Sequence, residues 1–482
     1  MNFRLIAHLV AVLLFCLGLS MTVPLSISLY YGDGSAAAIL SSAVLICLMA
    51  GSVFTWSRGQ KDYYLNHREG VAIVTFGWIA AGLAASLPYL FSGFIPNFTD
   101  AYFEAISGFT TTGSSILRDI ESLPPGILFW RAQTQWLGGM GIIVLSIAIL
   151  PYLGIGGMQL YRAETPSPVV DKLTPRISDT AKTLWKIYVI MTVIQIFLLI
   201  AGGMSWFDAV CHSFTTMPTG GFSPKNGSVG HYRSVYIDGV FVLFMFLAGT
   251  SFSLHYKLFT GNVRRFFRDP EFRSYLFIIA AFILLVAFDL YGSVYEGVCD
   301  AFRYAGFQVV SVMTTTGYVT ADYEKWPVLS QQILLICMFL GGMAGSTGGG
   351  IKIMRIVLLA KHCYLEIFRI IHPHAITVVK LGGMPVPQTI MRSIWGFSLL
   401  YLGIFILVTV VMAALGMDMM SSLSAVASSL GNVGPALGSV GPMDNYSEVP
   451  FLGKWLLIFC MLLGRLEIYT IVVLLMPAFW RK

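Results

Sequence analysis

The stretch that decides the fold is ISGFTTTGSSI, residues 106–116. Its three consecutive threonines are poor helix formers, because β-branched side chains lose rotamer freedom against the preceding helical turn. A glycine and two serines follow the threonines, and long apolar segments lie on both sides of the stretch. A single polar segment of this kind would be a loop between two helices. Its meaning changes if the pattern recurs.

The composition indicates a polytopic membrane protein. Of the 482 residues, 56% are hydrophobic and 11% are charged, and the mean hydropathy is +0.76. Soluble domains have about 25% charged residues. Apolar runs long enough to cross a hydrocarbon core of ~30 Å recur along the chain, for example from Tyr275 and from Ser393. The apolar run from Leu5 to Tyr31 is too long for a signal peptide and lacks a small-residue cleavage site.

Basic residues indicate how the chain is oriented. If the N-terminus lies inside, ten expected spans place most of the 30 Lys and Arg residues in interior segments, as the positive-inside rule requires. The C-terminus is then also cytoplasmic. Each basic cluster adjoins a span and none alternates with aromatic residues. The expected partner of these surfaces is therefore membrane lipid, and no nucleic acid is expected to bind.

Cysteine and histidine patterns argue against a metal centre or an enzyme. The seven cysteines occur singly, without a CxxC pair, which favours small core residues over a disulfide frame or a metal site. His372 and His374 form an HPH motif that could ligate a metal, but no cysteine or acidic cluster accompanies it, so a loop with incidental histidines is favoured. His212 and His255 are isolated. We therefore predict no catalytic residues, no enzyme activity and no cofactor.

The opening stretch is the first of four similar segments. They read FTTTGSS at 109–115, TMPTGGF at 216–222, MTTTGYV at 313–319 and LGNVGPA at 430–436. Aligning one glycine of each segment pairs Gly113, Gly220, Gly317 and Gly434, which are separated by 107, 97 and 117 residues. The chain therefore contains a repeat of about one hundred residues, which is the sequence signature of a repeated structural unit.

Each repeat has the same order of elements: a long apolar run, an aspartate, a short amphipathic segment, the glycine motif and a second apolar run. The aspartates are Asp100, Asp208, Asp300 and Asp418. Aspartate is a good helix N-cap, and the segment behind each one is too short to cross a membrane. We therefore predict a half-length re-entrant helix that returns through a non-helical glycine segment.

These units define the predicted architecture, which is an all-α polytopic membrane protein. Two extra transmembrane helices occupy residues 1–66, and four repeats of span, pore helix, filter loop and span follow around one pore. The repeats lie at 67–165, 166–262, 263–375 and 376–482. Non-helical backbone is tolerated at membrane depth only where it is buried or lines a water-filled cavity. A ring of its carbonyl oxygens can replace the hydration shell of a monovalent cation, so the pattern predicts an ion filter.

The four-repeat organisation and the two leading spans resemble the Trk/Ktr/HKT superfamily of potassium transporters. The segment KLTPRISDTAKTLWKIY, residues 172–188, resembles the bacterial Trk-type membrane subunits of that superfamily. The resemblance implies potassium uptake across the bacterial cell inner membrane, with K+ as the transported ion. It also implies a pore within each subunit, a homodimer, and a cytoplasmic ring of nucleotide-binding regulatory subunits.

The resemblance further assigns the ion-lining positions by motif. They are Thr111, Thr112, Gly113, Pro218, Thr219, Gly220, Thr315, Thr316, Gly317, Asn432, Val433 and Gly434. None of the four segments reads TVGYG, the form found in tetrameric potassium channels. Pro218 and Asn432 depart furthest from that form, so the four-fold symmetry is expected to be approximate.

The run GGMAGSTGGGIK, residues 341–352, interrupts the second span of repeat three. Each glycine weakens a helix by roughly 1 kcal/mol. Because the run has no single-face periodicity, an intramembrane loop is favoured over a helix-packing face of small residues. In the family the equivalent loop acts as a gate below the filter. The predicted gate residues are Gly345, Ser346, Thr347, Gly348, Gly349, Gly350 and, from repeat four, Arg465.

Arg465 lies within a span, where a charged residue is costly and usually functional. The second spans align at Gly139, Gly249, Gly342 and Arg465, so one long side chain faces three positions without side chains. We expect an electrostatic barrier to cations, and a structural ion pair is the alternative. Glu467 would lie about 200° away on a continuous helix. It is expected to pack between spans against an unidentified basic partner.

The leading functional prediction is gated, channel-like conduction of K+ through one filter. The alternative is potassium symport coupled to protons or sodium. Coupling would require a carboxylate in a relay within the membrane, and Glu467 is the evident candidate in the sequence. The four-loop filter favours conduction over coupling.

Overall fold

A computed structural model of the protein describes residues 1–57, 67–141, 177–261, 263–375 and 377–481. The predicted fold class is confirmed. The molecule is an all-α polytopic membrane protein in which two leading transmembrane segments precede four repeats around one pore. The leading segments contain α1 (Phe3–Ser20), α2 (Thr22–Tyr31) and α3 (Ala36–Ser57). Helix α1 packs against α3.

The helices of the four repeats follow one another in a common order. Repeat one contains α4 (His67–Phe91), α5 (Phe98–Phe109) and α6 (Pro125–Gly139). Repeat two contains α7 (Ile177–Ala201), α8 (Trp206–Thr216), α9 (Val235–Ala248) and α10 (Phe252–Phe259). Helix α11 (Val263–Arg268) leads into repeat three, with α12 (Pro270–Leu290), α13 (Val298–Met313), α14 (Val328–Phe339) and α15 (Ile353–Ile371). Repeat four begins with an antiparallel hairpin of β1 (Lys380–Leu381) and β2 (Met384–Pro385). Its helices are α16 (Gln388–Ala414), α17 (Met419–Gly431), α18 (Phe451–Arg465), α19 (Tyr469–Leu475) and α20 (Pro477–Trp480).

The pore helices are α5, α8, α13 and α17, with 12, 11, 16 and 13 residues. At about 1.5 Å per residue, each is too short to cross a hydrocarbon core of ~30 Å. The C-terminal end of each pore helix is followed directly by a glycine segment. The sequence prediction of half-length helices therefore agrees with these lengths.

The prediction that an aspartate caps each pore helix is right only for Asp418, whose carboxylate accepts the N–H of Ser421. Asn97 and Ser205 cap α5 and α8, and Gly297 precedes α13. The aspartates of the first three repeats lie in the first helical turn instead. An acidic side chain still stabilises that turn, because the first N–H groups carry the positive end of the helix dipole.

The four repeats close into a ring through contacts of the pore helices. Each pore helix packs against the following helix of its own repeat, as α5 on α6, α8 on α9, α13 on α14 and α17 on α18. Each also packs against the equivalent helix of the preceding repeat, as α8 on α6, α13 on α9, α17 on α14 and α5 on α18. The last contact joins repeat four to repeat one, so the chain surrounds a single axis.

The second spans of repeats two and four are broken, although their apolar sequences predicted continuous helices. Helices α9 and α10 meet at 102°, and α18 and α19 meet at 118°. Glu467 and Ile468 have φ angles of 53° and 61°. A right-handed helix cannot contain these left-handed values, so Arg465 and Glu467 do not lie on one helix. Among the described residues, six helices are long and apolar enough to cross a membrane, or up to eight if each bent pair is one span.

The connections that follow the glycine segments contact one another on one face, which we call the outer face. The N–H of Ile120 donates to Asn226 Oδ1 at 2.7 Å, and the N–H of Gly230 donates to the carbonyl of Val319 at 3.0 Å. These connections contain the 3₁₀ turns Ser228–Tyr232, Tyr323–Lys325, Gly438–Val440 and Tyr446–Glu448. Contacts of this kind run around the ring as the pore-helix contacts do.

Some sequence predictions lie outside the described residues. The boundary at 165/166 between repeats one and two is one of them. Residues 172–176, the first part of the segment 172–188 that carries the family resemblance, are also outside the described residues. The interior basic residues Arg58, Lys61, Arg162, Lys172, Arg176 and Lys482 are others. The repeat boundaries as a whole stay a prediction.

Candidate functional site

The four glycine segments share one backbone conformation. In each, a non-glycine residue in the left-handed region is followed two positions later by a left-handed glycine. The non-glycine residues are Thr111, Thr219, Thr315 and Asn432, with φ of 55°, 58°, 59° and 55°. The glycines are Gly113, Gly221, Gly317 and Gly434, with φ of 85°, 73°, 83° and 104°. Left-handed backbone is unfavourable for a β-branched residue, so the surrounding structure must hold the threonines in place.

This geometry corrects the sequence alignment of repeat two by one residue. The prediction paired Gly220 with Gly113, but the equivalent left-handed glycine is Gly221. Thr219 is accordingly equivalent to Thr111. The alignment was wrong because the segment contains two adjacent glycines, and the letters alone do not say which of them takes the left-handed conformation.

Backbone hydrogen bonds give the same register. The residue before each left-handed glycine donates its N–H to the carbonyl five positions earlier. These bonds are Thr112 to Ser107 at 2.9 Å, Gly220 to Thr215 at 2.8 Å, Thr316 to Ser311 at 2.8 Å and Val433 to Ser428 at 2.9 Å. Pro218 is therefore equivalent to Thr110 and Thr314, which precede the left-handed threonines.

The four segments touch one another around the axis. Each left-handed glycine lies so close to a carbonyl oxygen of the next segment that a Cβ at the glycine would clash with it. The pairs are Gly113 with Gly220, Gly221 with Thr316, Gly317 with Val433 and Gly434 with Thr112. Glycine is thus required at these positions both by its φ angle and by the close approach. The contacts run from repeat one through four and back to one, so the segments form a closed ring.

The ring is not chemically four-fold. Asn432 Nδ2 donates to Thr112 Oγ1 at 2.9 Å, a contact that a threonine at position 432 would not make in this way. Gln135 Nε2 donates to the carbonyl of Gly220 at 2.7 Å. The carbonyl of Gly434 accepts from three hydroxyls, those of Ser114, Ser428 and Tyr446, at 3.1, 2.8 and 2.8 Å. The expected approximate symmetry therefore arises from specific side chains.

The non-helical loop between α14 and α15, residues 340–352, lies directly against three of these segments. At Gly349 it approaches the carbonyl of Gly431, in the segment of repeat four, so closely that an added Cβ would clash. Thr347 Oγ1 donates to the carbonyl of Met217, in the segment of repeat two, at 2.9 Å. The N–H of Gly349 donates to Thr315 Oγ1 at 2.7 Å. The alternative of a helix-packing face of small residues is wrong, because this stretch contains no helix.

Backbone and side-chain hydrogen bonds hold the 340–352 loop at its ends. The N–H of Gly341 donates to the carbonyl of Ile351 at 2.9 Å and closes the neck of the loop. The Glu271 carboxylate accepts the N–H of Ala344 at 2.8 Å and the N–H of Met354 at 3.2 Å. The loop is therefore an ordered element with fixed anchors.

Arg465, the last residue of α18, reaches backbone carbonyls of two other repeats. Its Nη1 donates to the carbonyl of Thr347 at 2.7 Å. Its Nη2 donates to the carbonyls of Gly138 and Gly139 at 2.7 and 3.0 Å. The Trp78 ring centroid lies 6.0 Å from the guanidinium carbon. Arg465 thus connects the 340–352 loop to repeat one.

Glu467 forms an ion pair with Arg355, near the start of α15. Arg355 is the basic partner that the sequence could not identify. Its guanidinium also lies over the ring of Phe397, with the centroid at 4.0 Å. The pair therefore joins the break after α18 to the helix that follows the 340–352 loop.

Arg465 and the 340–352 loop border a cavity of about 490 Å³ on the side of the ring away from the outer face. Lys257 and Asp269 also line it. In the described parts of the chain, no group of three or more His, Cys, Asp or Glu side chains is arranged to hold a metal ion. His372 and His374 are exposed beyond the end of α15.

On the outer face, Glu324 joins repeats three and four. Its carboxylate accepts the N–H of Gly438 at 2.6 Å. Burial raises the pKa of Glu324 above its ordinary value, and the nearby carboxylates of Asp444 and Asp322 raise it further. The carboxylates of Glu324, Asp444 and Asp322 therefore lie near one another on the outer face.

Sequence reasoning missed a buried ion pair between Glu104 of α5 and Arg131 of α6. Their facing side-chain atoms are 2.7 Å apart, and both side chains are almost completely buried. A signal was available, because Glu104 is a charged residue in the middle of an apolar half-helix. A second missed residue is Gln135, which lies one turn after Arg131 and binds the backbone of the second segment.

Known proteins share both the sequence and the fold. The model of the TrkH family, described as cation transport protein, matches residues 37–482. The chain is 42% identical to the Trk system potassium uptake protein TrkH of Salmonella typhimurium and to that of Escherichia coli strain K12, over 100% of each chain. The crystal structure of the potassium transporter TrkH from Vibrio parahaemolyticus matches with a TM-score of 0.89 and 38% identity, over 100% of both chains. These relatives are transport proteins rather than enzymes. The chain belongs to the TrkH family of cation transport proteins.

Proposed function

We propose that the chain takes up K+ by gated, channel-like conduction through a single filter built from the four glycine segments. The closed ring of left-handed glycines carries this proposal. The ion-binding positions are those assigned by motif, namely Thr111, Thr112, Gly113, Pro218, Thr219, Gly220, Thr315, Thr316, Gly317, Asn432, Val433 and Gly434, with Gly221 added by the corrected register. Carbonyl and hydroxyl oxygens of this ring replace water around the ion.

The pore helices support a cation site at this ring. All four end directly at the glycine segments, at Phe109, Thr216, Met313 and Gly431. A helix C-terminus carries the partial negative charge of unpaired carbonyls, which stabilises a nearby cation. Gln135 and the hydroxyls around Gly434 occupy some carbonyls of the ring, so the ligand field differs between repeats.

The 340–352 loop and Arg465 form the proposed gate. The predicted gate residues Gly345, Ser346, Thr347, Gly348, Gly349 and Gly350 lie in this loop, under the segments of repeats two and three. Arg465 keeps its charge, since an arginine guanidinium stays protonated in proteins. At an effective dielectric constant of about 20, two unit charges ~4 Å apart repel by about 4 kcal/mol. A cation passing Arg465 therefore meets a barrier while the arginine holds Thr347.

Symport coupled to protons or sodium is the less favoured alternative. It needs a carboxylate within the membrane that is available to a coupling ion. Glu467, the candidate from the sequence, is engaged by Arg355 in an ion pair. The guanidinium of Arg355 therefore already occupies the carboxylate that a coupling ion would need. The geometry therefore favours conduction.

The assembly and its location are part of the same proposal. The chain acts in the bacterial inner membrane with both termini cytoplasmic, because basic residues are concentrated in the interior segments. It forms a homodimer, with one pore in each subunit. A cytoplasmic nucleotide-binding regulatory subunit controls the gate, and surrounding lipid covers the apolar outer surfaces of the spans.

Conduction and symport are separated by a reversal potential. The chain alone, in planar bilayers with a K+ gradient, should give a reversal potential that changes by about 59 mV per tenfold change in the K+ gradient. Changing pH on one side at a constant K+ gradient should leave it unchanged, and the K+ current should persist without Na+ on either side. A shift produced by the pH gradient alone, or a K+ current that requires Na+, would establish coupling and refute passive conduction.

The corrected register of repeat two predicts which glycine is indispensable. Gly221→Ser should lower the K+/Na+ permeability ratio as strongly as Gly113→Ser and Gly317→Ser, because a side chain there strains a left-handed residue and clashes with the carbonyl of Thr316. The matched control is Gly239→Ser on α9, where the added Cβ has open space. If the three filter variants keep the wild-type ratio and flux, the filter assignment is wrong.

The gate hypothesis predicts the effect of shortening the loop. Deleting residues 345–348 should raise basal K+ flux and weaken regulation, because it removes the contacts of Thr347 with Met217 and Arg465. Thr347→Val, which removes only the hydroxyl, should raise flux less. Thr409→Val is the same exchange in α16 and should have no effect. Unchanged flux in a correctly folded deletion variant would remove the loop from the mechanism.

The barrier hypothesis predicts the effect of removing the charge of Arg465. Arg465→Ala should increase cation flux, since even ~1.4 kcal/mol less barrier raises a rate about tenfold. Arg465→Lys should remain close to wild type, because it keeps the positive charge. Flux of Rb+ into liposomes, compared at equal amounts of folded protein, measures both. A folded Arg465→Ala variant with reduced flux would show that Arg465 acts structurally.

A further inference from the structure

The Glu104–Arg131 ion pair is sealed from solvent behind the ring of glycine segments. The side chains are 0% and 2% exposed. Arg131 approaches one carboxylate oxygen with two nitrogens, with Nε at 2.8 Å and Nη2 at 2.7 Å. A buried pair of this kind gains little net stability over apolar packing, because both charges lose their hydration. The role of the pair is therefore better explained by the backbone segments that it positions.

On one side the pair holds the first glycine segment, just beyond its left-handed glycine. The Glu104 carboxylate accepts the hydroxyl of Ser115 at 3.0 Å and the N–H of Ile116 at 3.0 Å. Arg131 Nη2 donates to the same Ser115 hydroxyl at 3.2 Å. The end of the first segment nearest the outer face is therefore bound to both members of the pair.

On the other side Arg131 holds the second glycine segment. Its Nη1 donates to the carbonyl of Ser223 at 3.3 Å, two residues after the left-handed Gly221. Its guanidinium also lies over the Phe222 ring, with the centroid at 4.0 Å. One planar guanidinium thus binds neighbouring segments from two repeats and acts as a bracket between them.

The equivalent positions in the other repeats carry different chemistry. The residue seven positions before each left-handed non-glycine residue is Glu104, His212, Gln308 and Ala425. His212 Nε2 lies 3.0 Å from the Ser223 hydroxyl, and Gln308 Nε2 donates to the Thr320 hydroxyl at 3.3 Å. Each of these contacts stays within its own repeat. His212 also contacts the next segment, because its carbonyl accepts the hydroxyl of Tyr318 at 2.9 Å and the two ring centroids are 5.9 Å apart. Among these four positions, only the one in repeat one belongs to a charged side-chain pair that links two segments.

We propose that Arg131 and Glu104 are positioning residues for ion selectivity, which fix the spacing of the first two filter segments at their outer end. The inference rests on the proposed filter function of those segments. An ion filter selects by the number and placement of its oxygen ligands. If the bracket loosens, the two segments are free to separate, and the penalty for an ion of the wrong size falls.

Arg131→Lys tests the bracket with the charge retained. A lysine ammonium can still pair with Glu104, but it lacks the planar fork that reaches Ser115 and Ser223 together. The K+/Na+ permeability ratio, from reversal potentials of reconstituted protein under bi-ionic conditions, should fall by about tenfold, which corresponds to about 1.4 kcal/mol. Glu104→Gln, which keeps the size and removes the charge, should lower the ratio in the same direction.

The chain offers a closely matched control. Arg303 pairs with Asp238 through Nε at 2.8 Å and Nη2 at 2.7 Å, which is the same fork geometry, but it joins α13 to α9 without touching a glycine segment. Arg303→Lys should leave the permeability ratio unchanged at a comparable loss of thermal stability. A reduced ratio in Arg303→Lys as large as that in Arg131→Lys would show a general packing effect and overturn the proposal.

The outcomes also distinguish this inference from the proposed filter. If Gly113→Ser and Gly221→Ser lower the ratio while folded Arg131→Lys and Glu104→Gln retain it, the filter stands and the bracket is refuted. If the glycine variants also retain the wild-type ratio, the filter assignment itself fails, and the inference fails with it. A reduced ratio in both sets, with Arg303→Lys unchanged, supports the bracket.

Discussion

The constraint on which the structure depends is that non-helical backbone inside a membrane must be satisfied by the protein itself. Four such segments lie at membrane depth, and each is held by a bond from the residue before its left-handed glycine to the end of the pore helix. Side-chain hydroxyls bind further backbone groups, as Ser311 Oγ does with the carbonyl of Tyr318 at 2.7 Å. The pore helices, the glycines and the ring closure all serve to bury these segments together.

Ring closure explains why each segment needs both a left-handed threonine or asparagine and a left-handed glycine. The glycine allows the carbonyl of the next segment to approach, and the residue two positions earlier turns the chain away from the helix. Asparagine tolerates left-handed backbone better than threonine does. Asn432 also uses its amide to bind Thr112, so the fourth segment is tied to the first at the point where the ring closes.

The repeat, the half-length helices and the non-helical 340–352 loop could be predicted because each depends on the composition and spacing of residues that are close together in the sequence. The register of repeat two could not be predicted, since the sequence alone does not show whether Gly220 or Gly221 takes the left-handed conformation. The partner of Glu467 could not be found either, because Arg355 lies 112 positions away in the chain and only the fold brings them together. The break after Arg465 was hidden for the same reason, in a segment whose apolar pattern resembles a continuous span.

The loop of the proposed gate and the proposed barrier, Arg465, meet at Thr347, and this contact makes them a single unit. Thr347 binds Met217 through its hydroxyl and Arg465 through its carbonyl. Hydrogen bonds to a charged group contribute about 1.5–3 kcal/mol each, so Arg465 stabilises the loop in this position, which closes the pore in the proposed mechanism. Moving the loop breaks the contact of Arg465 with Thr347, and moving Arg465 frees one side of the loop. A regulatory subunit that displaced either element would therefore weaken both at once, which is a physical basis for opening in one cooperative step.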